Sequence, residues 1–125
     1  MDTSRFRPST SLACVDLGGA DLSGAYLPGV VLLGASLVGV DLRGAILAWA
    51  DLQHTDLTGA NLAGVNLAGA DLEGANLEGA NLAGAILVWA DLDDADLGGA
   101  DLRGVLLDDG EGRTFVLGPP TTPAI

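Results

Sequence analysis

Residues 56–84 read DLTGANLAGVNLAGADLEGANLEGANLAG, which is one five-residue phrase repeated with little change. The same register extends in both directions, so every fifth residue from Leu12 to Leu107 is leucine, 20 times without exception. Two residues before each leucine stands a small or β-branched residue: Ala 13 times, Val five times and Thr twice. A chain with such a strict internal period is organised by its repeat, so the repeat decides the fold.

A period of five residues fits neither regular secondary structure. An α-helix repeats its face every 3.6 residues and a strand every two residues, so neither keeps 20 leucines on one side. The frequent glycines would also destabilise a helix by about 1 kcal/mol each. The pattern instead requires a backbone that makes the same bend every five residues. Four bends close a square of 20 residues, and stacked squares pair through parallel hydrogen bonds.

In such a solenoid the leucine and the small residue two positions before it point inward, and the other three positions of each phrase point outward. Glycine supplies the backbone freedom that a tight corner requires. The sequence therefore predicts an all-β fold, a four-sided parallel β-helix of about five coils. At a spacing of about 4.8 Å per coil, the rod is about 24 Å tall.

The phrase Ala-Asp-Leu-x-Gly resembles the pentapeptide repeat family, whose pattern is usually written A(D/N)LXX. The resemblance covers residues 10–109, and 20 consecutive matches make it highly specific. It implies a right-handed quadrilateral β-helix, in agreement with the geometric prediction. It implies much less about function, because most members of the family have no known activity.

The 125 residues divide into a tail at 1–9, the repeat at 10–109, and a segment at 110–125 with a cap strand and a Pro-rich end. Phe6 and Pro8 are candidates to cover the first coil. The run Phe115-Val116-Leu117 is expected either to cap the last coil or to pair two molecules end to end. The uncharged stretch 22–40 has the length of a membrane helix, but four glycines, a proline and the unbroken leucine register argue against one. We expect no membrane association and a cytoplasmic location.

The outward residue before each leucine falls into four columns of period 20, one for each face of the rod. Three of these columns are mainly acid, amide or small polar, and the fourth is mainly apolar. Face 1 carries Ser11, Val31, Asp51, Asp71 and Asp91. Face 2 carries Asp16, Ser36, Asp56, Asn76 and Asp96. Face 3 carries Asp21, Asp41, Asn61, Asn81 and Asp101. Face 4 carries Tyr26, Ile46, Asn66, Ile86 and Leu106.

Both tryptophans belong to phrases of face 4, 40 residues apart, with Gly69 between them on the intervening coil. Exposed apolar stripes on proteins usually mark contact surfaces. We therefore expect a partner-binding apolar face, with the alternative that each indole simply shields the backbone at its corner. The residues assigned to this face are Tyr26, Ile46, Trp49, Ile86, Trp89 and Leu106.

The acidic columns suggest a more specific function. Between Val15 and Asp109 there are 15 acidic residues and two arginines, a net charge of −13. Spread over about 24 Å, this is about one charge per 1.8 Å, close to the value for duplex DNA. An acidic chain of net charge −12 is not expected to bind nucleic acid directly. Solubility and local side-chain to backbone bonds are alternative reasons for Asp and Asn at this position. The residues assigned to the acidic surface are Asp51, Asp71, Asp91, Asp16, Asp56 and Asp96.

Some members of the pentapeptide repeat family protect DNA gyrase by mimicking DNA, so the resemblance implies gyrase or another type II topoisomerase as a partner in a bacterial cytoplasm. The chain departs from that group, because it is short, has no inserted loops and lacks their frequent Phe centres. The alternative hypothesis is a structural scaffold that forms a homodimer through the tryptophan face or the C-terminal end.

No catalytic constellation is evident in the sequence, and we expect the protein not to be an enzyme. His54 is the single histidine, outward-facing between Asp51 and Asp56 but without a nucleophile, and is expected to be solvated. Asp71, Glu73 and Glu78 are interpreted as parts of solvated faces. The lone Cys14 excludes an internal disulfide and any multi-cysteine metal site. No cofactor or metal is predicted.

Overall fold

The computed structural model describes residues 11–118. The chain winds as a right-handed quadrilateral β-helix, as predicted. Sixteen parallel bridges join residues 20 apart, and each face is five levels deep, as in the column from Ser11 to Asp91. The predicted tail at 1–9, with Phe6 and Pro8, and the Pro-rich end at 119–125 lie outside the described residues.

Hydrogen bonds between successive coils repeat with the same geometry on every face. On face 4, the Leu47 N–H donates to the Asn66 carbonyl at 2.7 Å, and the Asn66 N–H donates to the Ala45 carbonyl at 2.9 Å. Each level therefore pairs through its backbone with the levels above and below. This ladder fixes every column of outward side chains in one register.

A tight turn makes each corner. The Ala50 N–H donates to the Leu47 carbonyl at 3.1 Å, which closes a four-residue turn from Leu47 through Ala48 and Trp49 to Ala50. The third residue of such a turn has a positive φ, as in type II turns, and this requirement favours glycine. Pro28 precedes Gly29 in one of these turns, at the position where type II turns favour proline.

The core is the leucine column predicted from the period. The 12 centre leucines from Leu27 to Leu82 are almost fully buried, and the alanines and valines between them are buried as well. Six centre leucines near the two ends are only partly buried: Leu12 and Leu17 in the first coil, and Leu92, Leu97, Leu102 and Leu107 in the last coil. Thr55 is the one buried polar residue among those described, and its hydroxyl donates to the Leu52 carbonyl at 2.8 Å.

Two short strands close the C-terminal end. Strand β1 (Leu106–Asp108) belongs to face 4 of the last coil, and strand β2 (Thr114–Val116) runs antiparallel to it. Leu117 extends the pairing, because its N–H donates to the Val105 carbonyl at 2.8 Å. β2 therefore covers one of the four sides of the last coil. The described residues contain no helix long and apolar enough to cross a membrane.

Candidate functional site

Every Asp or Asn that precedes a centre leucine makes the same local hydrogen bond. Its side-chain oxygen Oδ1 accepts from the backbone N–H two residues further on, at 2.9–3.2 Å. Nine of these residues are Asp and four are Asn, so either residue satisfies the turn. The local bond explains why the position is polar, but it does not explain why nine of 13 are charged.

The charges are distributed unequally among the faces. Face 1 carries five carboxylates in its column and in the position after each leucine, and face 2 carries four. Face 3, which lies opposite face 1, carries three carboxylates and two guanidinium groups, and face 4 carries a single carboxylate. The members are Asp51, Asp71, Glu73, Asp91 and Asp93 on face 1; Asp16, Asp56, Glu78 and Asp96 on face 2; Asp21, Asp41, Asp101, Arg43 and Arg103 on face 3; and Asp108 on face 4.

The arginines of face 3 pair with the aspartates of the same phrases. Arg43 Nη2 lies 2.7 Å from Asp41 Oδ2, and Arg103 Nη2 lies 2.6 Å from Asp101 Oδ2. Hydrogen bonds from Arg43 lower the pKa of Asp41, and those from Arg103 lower the pKa of Asp101 to about 2. Face 3 is thus nearly neutral, and the net negative charge of the rod is concentrated on the adjacent faces 1 and 2.

The two tryptophans lie at the corner between faces 4 and 1, and not within the flat part of face 4. Their ring centroids are 6.2 Å apart with an interplanar angle of 19°, although they are two coils apart along the chain. The Trp49 indole reaches over Gly69, where an added Cβ would stand 2.6 Å from Cδ2 of the ring. The absent side chain at Gly69 therefore makes room for the stack.

Both tryptophans occupy a position where the repeat favours glycine. Their φ angles are both 62°, in the left-handed region, and a side chain there costs about 1 kcal/mol or more. Their side chains nevertheless remain 64% and 62% exposed. The Trp89 N–H donates to Asp108 Oδ1 at 2.7 Å, and this hydrogen bond lowers the pKa of Asp108.

The rest of the predicted apolar face is less continuous than the tryptophan pair. Tyr26 is exposed at the N-terminal end, whereas Ile46, Ile86 and Leu106 are each half-buried. Asn66 interrupts the column between the two isoleucines. The strongly exposed aromatic surface therefore comprises Tyr26 and the stacked tryptophans.

The corner between faces 1 and 2 also carries non-glycine residues whose backbone φ is positive. Cys14 is an exposed free thiol, and Gly34 stands on the next coil. His54 is exposed, and its imidazole lies over Gly74, where an added Cβ would stand 2.7 Å from Cε1. Asp94 continues the column. Along this corner, as along the tryptophan corner, each raised side chain alternates with a glycine.

Three carboxylates of face 1 lie close together. Oxygens of Asp71, Glu73 and Asp91 all lie within 4.8 Å of one another, a spacing that a cation can bridge. Exposed acidic groups of this kind are common without any metal function. The cluster matters here as a concentration of negative charge, and Glu78 is exposed on the neighbouring face 2.

At the C-terminal end, Phe115 and Val116 of β2 remain 46% and 62% exposed. Leu117 is partly buried and packs against the core. Beside Leu117 lies a cavity of about 340 Å³, lined by Ala100, Asp101, Leu102, Arg103, Leu117 and Gly118. The structure thus shows β2 pairing within one molecule, with two apolar side chains left on its outer surface.

The sequence alone did not predict that non-glycine side chains stand along both borders of face 1, a feature that we call its rim. The five non-glycine residues with positive φ among those described all lie on the two corners that border this face: Cys14, Trp49, His54, Trp89 and Asp94. The signal was present in the sequence, since these are the five departures from glycine at 19 corner positions between 14 and 104. It becomes meaningful only when the corners are assigned to faces.

Comparison with solved structures places the fold among known solenoids. A pentapeptide repeat protein of the Arabidopsis thaliana thylakoid lumen is 34% identical, with a TM-score of 0.70, and the match covers 72% of this chain and 63% of that one. The cyanobacterial protein HetL of Nostoc, involved in heterocyst differentiation regulation, is 39% identical, with a TM-score of 0.61 over 82% of this chain and 51% of that one. This chain therefore spans between half and two thirds of the length of either relative.

The plasmid-mediated fluoroquinolone resistance protein QnrB1 also matches, at 20% identity and with a TM-score of 0.49, over 84% of this chain and 66% of that one. A search of curated protein sequences gives no significant match. The family model for pentapeptide repeats matches residues 10–47, 45–84 and 70–109. With the repeat register unbroken across all three matched segments, the chain belongs to the pentapeptide repeat family.

Proposed function

We propose that the chain is a non-enzymatic protein-binding module whose acidic faces bind a basic surface of a partner protein. The partner that we propose is a type II topoisomerase such as DNA gyrase, with the rod occupying the surface that otherwise binds DNA. We propose the bacterial cytoplasm as the location of this interaction.

The observation that carries this proposal is the fixed register of the acidic columns. Parallel bridges hold Asp51, Asp71 and Asp91 on successive levels, so their carboxylates repeat at about 4.8 Å along the rod. Faces 1 and 2 together present nine carboxylates on two adjacent sides. A rigid array of negative charge binds a basic groove without the loss of entropy that a flexible acidic segment suffers.

The choice between Asp and Asn supports a role for the charge itself. Asn61 and Asn76 make the same backbone hydrogen bond as the aspartates, so the turn does not require a carboxylate. Faces 1 and 2 together carry six Asp and one Asn in their columns. On the nearly neutral face 3, two of five column residues are Asn and two of the three aspartates are paired with arginine.

A supercoiling assay with purified gyrase tests the proposal. The protein at micromolar concentration is expected to inhibit supercoiling or to relieve poisoning by a quinolone. The triple substitution Asp51→Asn, Asp71→Asn and Asp91→Asn should abolish the effect. A matched control, Asp21→Asn, Asp41→Asn and Asp101→Asn, removes as many carboxylates from the opposite face and should retain it. Absence of any effect of the parent protein on gyrase would refute the topoisomerase proposal.

A second candidate function is that of a self-associating scaffold. The exposed Trp49 and Trp89 favour it at one corner, and the exposed Phe115 and Val116 favour it at the C-terminal end. Light scattering distinguishes these surfaces: Trp49→Gly with Trp89→Gly dissociates a homodimer built on the corner, and Phe115→Ser with Val116→Ser dissociates one built on the end. A monomeric parent protein at high concentration would exclude both.

A further inference from the structure

Face 1 differs from the other three faces in having side chains raised along both of its borders. Trp49 and Trp89 stand on the border with face 4, and His54 and Asp94 stand on the border with face 2. The two corners that border face 3 carry glycine at every level, from Gly19 to Gly104. Face 1 thus lies between an aromatic rim and a polar rim, both parallel to the rod axis, and we call this bordered strip the channel.

The floor of this channel is acidic in its C-terminal half. Asp51 follows Trp49 by two residues, and Asp91 follows Trp89 by two, so each carboxylate stands on a Cα within about 7 Å of the tryptophan Cα. Oxygens of Asp71, Glu73 and Asp91 converge within 4.8 Å. Like charges at this separation repel one another, and a bound cation relieves that repulsion.

The described part of the chain supplies no cation to this channel. Within residues 11–118, the arginines form their salt bridges elsewhere: Arg43 with Asp41, Arg103 with Asp101, and Arg113 with Asp109 and Glu111. No salt bridge among the described residues involves a carboxylate of face 1. The channel thus combines accessible indole rings with carboxylates that form no salt bridge within residues 11–118.

We propose that face 1 and its tryptophan rim bind an extended, arginine-containing basic segment of a partner protein. Arginine fits both halves of the channel, because its guanidinium stacks on indole and pairs with carboxylates through two parallel hydrogen bonds. Five levels span about 19 Å, the length of about six residues of extended chain. The inference rests on the proposed function only in requiring a basic protein partner, and it does not require gyrase.

The chain carries its own reporter for this binding, because its two tryptophans are both on the rim. Hexaarginine and hexalysine are titrated against the protein at physiological salt with a chelator present, and tryptophan fluorescence and calorimetry are recorded. Hexaarginine is expected to change the fluorescence in a saturable manner and to bind at least about fivefold more tightly than hexalysine, because lysine lacks the planar, bidentate group.

Two sets of variants locate the site. Trp49→Gly with Trp89→Gly introduces the residue found at most other corners, so the backbone remains unstrained; calorimetry should show about tenfold weaker binding of hexaarginine and loss of its advantage over hexalysine. Asp51→Asn, Asp71→Asn and Asp91→Asn together should weaken binding about tenfold. The control Asp16→Asn, Asp56→Asn and Asp96→Asn removes the same charge from face 2 and should weaken it less than about threefold.

Equal weakening by the two asparagine triples would show that attraction is diffuse and would overturn the inference, as would equal affinity for the two peptides. Unchanged fluorescence on binding would also overturn it. Circular dichroism and thermal melts of each variant establish that the solenoid is intact.

Selective binding of hexaarginine by a protein that leaves gyrase unaffected would refute the topoisomerase proposal and support this one. If gyrase inhibition survives the double tryptophan substitution and the protein shows no preference for hexaarginine, the topoisomerase proposal would be supported and the arginine-binding inference would be overturned.

Discussion

The indole of Trp49 occupies the space that a side chain at residue 69 would need: a Cβ built on Gly69 would stand 2.6 Å from Cδ2 of the ring. The same relationship holds between His54 and Gly74 on the neighbouring corner. A bulky side chain at one level of a corner thus requires glycine at the next level. The side chains along the borders of face 1 therefore depend on the glycines of the next coil.

Gly69→Ala separates this steric requirement from backbone strain. Gly79 has the same positive φ, and an added Cβ there would meet nothing within 4 Å, so Gly79→Ala should cost only the backbone term of about 1 kcal/mol. Gly69→Ala should cost about 2 kcal/mol more because it displaces the indole. Urea unfolding measures the free energy of unfolding of both variants. In a Trp49→Gly background the two substitutions should cost the same, and a persistent difference would show that the indole is not the obstacle.

The leucine column should not tolerate a charge. Leu62 is 1% exposed in the middle of the stack, and Leu62→Asp both opens a cavity and buries a carboxylate, a loss of about 5 kcal/mol or more. We expect a chain without a cooperative melt in circular dichroism. The control Ala63→Asp places the same charge at the next, outward position, which Asp93 occupies in another phrase, and should melt like the parent. A cooperative melt of Leu62→Asp near the parental temperature would contradict the fold.

Exchange of Asp for Asn should be structurally neutral, whereas loss of the side-chain oxygen should not. Asp51 Oδ1 accepts a hydrogen bond from the Gln53 N–H at 3.1 Å in a partly buried position. Asp51→Asn should change the free energy of unfolding by less than about 0.5 kcal/mol, and Asp51→Ala should lower it by about 1 kcal/mol. If chemical denaturation shows that Asp51→Asn and Asp51→Ala lower the free energy of unfolding equally, the turn hydrogen bond makes no measurable contribution to stability.

The ion pair of face 3 predicts a specific titration. Hydrogen bonds from Arg103 lower the pKa of Asp101 from 3.8 to about 2, so the pair favours the folded state above about pH 4, and this contribution is lost as pH falls through about 2. Arg103→Gln should raise the pKa of Asp101 toward 3.8, as measured by carboxyl chemical shifts in NMR. The control is Asp41, whose pKa is lowered by hydrogen bonds from Arg43 and should be the same in both proteins.

Much of the architecture could be predicted because one residue type dominates each inward position. Leucine every five residues defines the bend, the closure into squares and the core from Leu27 to Leu82, and the structure agrees. The sorting into four faces follows from the same period, since the bridges join residues 20 apart. These features depend on local geometry repeated without interruption, which a single sequence shows directly.

The character of the site was harder to predict because it depends on neighbours that are distant in the sequence. The stack of Trp49 on Trp89 spans 40 residues and depends on the direction in which the first indole leans. The near neutrality of face 3 depends on Arg43 and Arg103 folding back onto their own phrases. The assignment of partner surfaces to the acidic columns, the tryptophan corner and β2 stays a prediction that the experiments above are designed to test.

The shared turn hydrogen bond of Asp and Asn has an evolutionary consequence. One nucleotide change interconverts these two residues. Here it changes the net charge of a face by one unit and leaves the backbone as it was. A lineage can therefore add or remove charge one level at a time without losing folded intermediates. Selection for a new partner can act on the surface of such a rod while its interior stays the same.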